Sequence, residues 1–87
     1  MRHVTSSGLD QLEPLLSRLR TLPDLVEKKR GVFYRRSKAF IHFHEDPSGF
    51  YADVRVGPEF ERYRVQTSAE QDEVLAVIRL SLDPTGS

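Results

Sequence analysis

Between Ala39 and Val56 apolar and polar residues alternate along two arms, AFIHFHE and FYADVRV. That is the period-two pattern of strands with one buried face. Asp46-Pro47-Ser48-Gly49 joins the arms as a turn, with Pro fixing φ early and Gly taking the left-handed position. The loop length decides the faces, because a slip of one residue exchanges them. A five-residue loop sets Ile41 against Asp53 and Phe43 against Tyr51, mixing polar and apolar residues on both faces. A four-residue loop sets Glu45 against Phe50, Phe43 against Ala52 and Ile41 against Val54. The second register separates the faces. Ile41, Phe43, Phe50, Ala52, Val54 and Val56 fall on one, and Phe40, His42, His44, Tyr51, Asp53 and Arg55 on the other.

The remaining elements extend or cover this hairpin. Leu9, Leu12, Leu16 and Leu19 recur at helical spacing, with Leu15 widening the stripe. Asp10 and Glu13 resemble a capping box, and Pro14 is tolerated only in a first turn, so the helix is expected to start between Gly8 and Glu13. Pro23 sets its end near Thr21. The first eight residues read as a frayed end, and Pro23 to Arg30 as a charged connector. Gly31 to Arg35 suits a strand, followed by a tight turn at Arg36-Ser37 or, equally, by a longer turn or a bulge, since neither residue favours the positive φ of two-residue hairpin turns. After a turn at Gly57 to Phe60, a fourth strand from Glu61 to Gln66 is expected to pair Tyr63 with Val54, Val65 with Ala52, Arg62 with Arg55 and Arg64 with Asp53. Thr67-Ser68-Ala69-Glu70 is a capping box that opens a helix with Val74, Val77, Ile78 and Leu82 on its buried stripe. Asp83 to Ser87 reads as a tail. The expected architecture is α+β: helix, four-stranded antiparallel meander, helix. It forms a two-layer sandwich with both helices on one sheet face.

Composition bounds this further. The 87 residues make a single domain, 1–87, with an ordered core over about 9–82. There is no Cys, hence no disulfide or thiolate metal site, and a cytoplasmic protein is expected. No run approaches the roughly 18 apolar residues of a membrane span. The net charge of zero hides an asymmetry: residues 1–44 carry nine Lys/Arg against four Asp/Glu, and residues 45–87 carry four against nine. Lys28, Lys29, Arg30, Arg35, Arg36 and Lys38 concentrate the positive charge, making that segment a candidate nucleic-acid surface.

Leu22-Pro23 after the Leu-rich helix, then an aromatic hairpin ending in Lys38-Ala39-Phe40, resembles the MmcQ/YjbR-like proteins, small bacterial domains similar to the frataxin-type fold. His42-x-His44 followed by Ala52-Asp53 also resembles the small "luciferase domain" proteins. What the resemblance implies is the fold; it carries no function to any residue here.

The polar sheet face holds the candidate chemistry. In the expected register His42, Asp53 and Arg64 form one row, and His44, Tyr51 and Gln66 the next. His42 and His44, two apart on a strand, point the same way. With Asp53 they offer two nitrogens and an oxygen to a metal such as zinc. Alternatively, His42, His44, Tyr51, Asp53, Arg55, Arg62 and Arg64 bind an anion or small ligand. A plain solvated strand face is a third reading. No nucleophile, glycine-rich phosphate loop or zinc-type spacing is present, so neither an enzyme nor a cofactor is expected. Phe40, Tyr51 and Phe33 among arginines also compose an interaction surface. The expected function is therefore a non-catalytic binding or protein-interaction module, with a homodimer or another protein as partner.

Overall fold

The structure, a computed structural model, describes residues 1–82. The expected tail, Asp83 to Ser87, lies outside the described residues. The elements run β1 (Arg2–His3), α1 (Ser6–Leu19), β2 (Val26–Lys29), β3 (Val32–Arg35), β4 (Lys38–Asp46), β5 (Gly49–Arg55), β6 (Phe60–Arg64) and α2 (Ser68–Leu82). The class is α+β with an open antiparallel sheet, but two more strands join than the four expected. β2 arises within the supposed connector, and β1 within the supposed frayed end. The path is β2-β3-β4-β5-β6, with β1 pairing β4 beyond the end of β3. No helix among the described residues is long and apolar enough to cross a membrane.

The central hairpin has the register that segregates its faces: Ile41 opposes Val54, His42 Asp53, Phe43 Ala52 and Glu45 Phe50. Ile41, Phe43, Ala52 and Val54 are buried, in one cluster with leucines of α1 and with Val74, Leu75, Ile78 and Leu82 of α2. Phe40 departs from expectation. The β3–β4 ladder passes from Phe33↔Ile41 to Tyr34↔Ala39, so β4 carries one extra residue there. Such a bulge breaks the alternation of side chains, and Phe40 joins Ile41 in the core with Phe33. The outward face therefore lacks both phenylalanines expected on it.

α1 starts at Ser6 rather than after Gly8, because Thr5 caps it: the Gly8 amide donates to Thr5 Oγ1 at 3.1 Å. Glu45 Oε1 in turn accepts from the Thr5 amide and hydroxyl at 2.6 and 2.9 Å, fixing the helix start to β4. Pro14 then sits inside the helix. It removes one amide donor, while the leucine stripe on either side keeps the helix bound to the core. The β2–β3 turn closes at Gly31, at φ +80, where a Cβ would stand 2.6 Å from Leu9 Cδ2. Arg36 and Ser37 both adopt positive φ, 52 and 69, in the two-residue turn between Arg35 and Lys38.

At α2 the capping box is reciprocal: Glu70 N donates to Thr67 Oγ1 at 3.1 Å, and Thr67 N to Glu70 Oε1 at 3.0 Å. Thr67→Ala is expected to lower stability by about 1 kcal/mol, read as a lower urea midpoint at unchanged slope. An unchanged midpoint would show that the cap contributes nothing.

Candidate functional site

β6 pairs with β5 two positions away from the expected register. Arg62 opposes Asp53, Tyr63 Ala52, Arg64 Tyr51 and Phe60 Arg55. The outward rows are therefore His42–Asp53–Arg62 and His44–Tyr51–Arg64. Arg64, expected beside Asp53, instead donates to the Ser48 carbonyl at 2.7 Å and to both Glu70 oxygens at 3.1 and 3.0 Å. Nor do Arg55 and Arg62 meet: the Arg55 guanidinium lies 4.3 Å over the Phe60 ring, and its Nε donates to the Ala39 carbonyl at 3.0 Å.

Asp53 is the one charged residue buried among the described residues, at 8% exposure. Its carboxylate accepts a fork of two bonds from Arg62, Nε to Oδ1 at 2.7 Å and Nη2 to Oδ2 at 2.9 Å. Those bonds hold its pKa below the ordinary 3.8, against the opposing effect of burial. Oδ2 also lies 3.0 Å from His44 Nε2 and 3.9 Å from His42 Nδ1. The two imidazole nitrogens are 3.1 Å apart. Burial holds the His42 pKa below the ordinary 6.5; Asp53 opposes that shift, while His44, His3 and Arg62 add to it. The shift favours the neutral imidazole, the form that ligates metals.

Three ligand-type atoms thus lie within 3.9 Å of one another, two of the three distances also being those of hydrogen bonds. Donors around a tetrahedral zinc, each about 2.0–2.1 Å from the ion, stand roughly 3.3–3.4 Å apart. The sides of 3.0, 3.1 and 3.9 Å bracket that spacing. Arg62 supplies the outer partner that orients a ligating carboxylate.

Two neighbours of this triangle carry no sequence signal. His3 opposes His44 in the β1–β4 ladder, with ring centroids 5.1 Å apart and near-parallel planes. Two residues are too few for alternation to reveal a strand. Phe60, assigned by sequence to a turn, stands edge-on to His42 at 4.9 Å. Tyr51 and Ser48 are occupied with each other, their hydroxyls 2.7 Å apart, and the Ser48 hydroxyl also donates to Asp46 at 2.8 Å. Ser81 Oγ donates to the Val77 carbonyl at 3.1 Å.

The six basic residues of 28–38 do not gather into one surface. Lys28, Lys29 and Arg30 lie at the β2–β3 turn, and Arg35, Arg36 and Lys38 at the β3–β4 turn, at opposite ends of β3. Arg30 is paired with Asp10 and Glu13 at 2.9 and 3.0 Å. Comparison with family models, with curated proteins and with solved structures finds no match for this chain, so the site is defined by these side chains alone.

Proposed function

We propose that the protein is a small non-catalytic binding module that holds a divalent transition-metal ion through His42 Nδ1, His44 Nε2 and Asp53 Oδ2. One observation carries this reading: three ligand-type atoms of two imidazoles and a carboxylate come together at metal-ligand spacing. The reading takes the fold as a two-layer sandwich, both helices on the apolar face, which leaves the triangle on the opposite face. Zinc and ferrous iron both suit two His and one carboxylate, with at least one coordination position left for water or a ligand. The interaction-module reading without a metal has less support, since Phe33 and Phe40 are buried in the core and take their area from that face.

Zinc titration followed by imidazole NMR tests the proposal. The His42 and His44 ring signals are expected to shift together and saturate at one equivalent. No change up to millimolar zinc would overturn it. The pH dependence has a definite sign. Binding needs neutral imidazoles and an ionised carboxylate, and His42 and Asp53 both have lowered pKa values. Zinc affinity is therefore expected to decline as pH falls, with the His42 ring protonating only below 6.5. The share of stability contributed by neutral His42 follows the same course: present above 6.5 and lost as pH falls through its lowered value.

A further inference from the structure

At the other end of β4 lies a second cleft, apart from the donor triangle and rimmed by cations. Arg35, Arg36 and Lys38 of the β3–β4 hairpin converge with Arg55 of β5 on a cleft of about 400 Å³, with Phe40 in its wall. Every other arginine of the sheet strands and of α1 has a carboxylate partner, but among the described residues none of these four cations has one. Arg35 Nε is shielded from solvent and has no hydrogen-bond partner among the described residues. A buried donor without an acceptor is costly and calls for an explanation. The turn itself is held against preference, with Arg36 at φ 52 and Ser37 at φ 69, where Asn-Gly would fit without strain. Arg55 is preorganised: its Nε bonds the Ala39 carbonyl and its guanidinium carbon lies over the Phe60 ring, while its two terminal nitrogens have no partner among the described residues.

We infer that this cleft binds the phosphate or pyrophosphate group of a small molecule. Guanidinium forks match phosphate oxygens in geometry and charge. The cleft volume suits one small ligand. A nucleic-acid strand needs a continuous basic track, and the positive charge of 28–38 is instead split between the two ends of β3.

Pyrophosphate titration with nitrogen-15 detection of the arginine guanidinium groups tests the inference. The guanidinium signals of Arg35 and Arg55 are expected to shift saturably, those of the Arg55 terminal nitrogens most. The double variant Arg36→Gly with Lys38→Gln removes two charges while Gly accepts the positive φ. It should weaken pyrophosphate at least tenfold and leave the zinc-induced His42 and His44 shifts unchanged, which also shows that the variant is folded. Equal shifts from chloride at matched ionic strength would overturn the site as mere screening. Binding of a single-stranded oligonucleotide that shifts Lys28 and Lys29 as strongly as Arg35 would overturn the small-ligand assignment.

Discussion

Zinc at about 100 times its dissociation constant is expected to stabilise the wild-type protein by about 2.7 kcal/mol, and Asp53→Asn to abolish that gain. The amide is neutral and a poor ligand, so affinity should fall by more than the roughly 10- to 100-fold typical of losing an outer partner. Arg62→Gln is the companion variant. It leaves all three donors in place and removes only the fork that orients Asp53, so its loss should stay within roughly 10- to 100-fold. Thermal unfolding with and without zinc reads both. Equal zinc-induced shifts in wild type and Asp53→Asn would place the ion elsewhere or nowhere. Asp53→Asn also lowers stability without metal, because Arg62 then faces an amide. That effect is small, since Arg62 is about half exposed and screened by water.

The second large effect lies in the core. Phe33→Ala is expected to cost about 3–5 kcal/mol, the usual penalty for deleting a buried phenyl ring. Against a total stability of about 0.05–0.15 kcal/mol per residue, that is much of what a chain this size has. Phe33 is 1% exposed and opposes Ile41 at 0%. Were Phe33 on the outward face, the same change would stay within about 0.5 kcal/mol. Guanidinium unfolding separates the two, and a near-wild-type midpoint would remove Phe33 and the β4 bulge from the core.

The contrast between Phe33 and the central hairpin shows what the sequence makes legible. Both arms of the β4–β5 hairpin alternate, and the Asp-Pro-Ser-Gly turn fixes its length, so parity leaves a single register. Parity is blind to a slip of two. Tyr63 and Val65 keep their face whether β6 is paired as expected or as observed, so Arg62 and Arg64 could change places beside Asp53 without disturbing the pattern. Phe40 escapes detection for a different reason, because a bulge breaks the period on which the reading depends. Val-Glu-Lys-Lys in β2 has no period at all, and its one apolar residue, Val26, is 56% exposed. At α1, Asp10 and Glu13 offer a plausible local cap, but Thr5 is preferred because Glu45, distant in sequence, completes its hydrogen bonds.

β4 shares one edge between two neighbours, β3 along its first half and β1 along its second. The three proposed metal donors sit on a single hairpin, His42 and Asp53 being eleven positions apart, whereas the His3–His44 contact bridges forty-one. Loop-closure entropy grows with that separation, so the donor triangle can assemble early in folding and the amino-terminal strand can dock last. By the same token, transient release of that strand unstacks His3 while the hairpin keeps its three ligands in place.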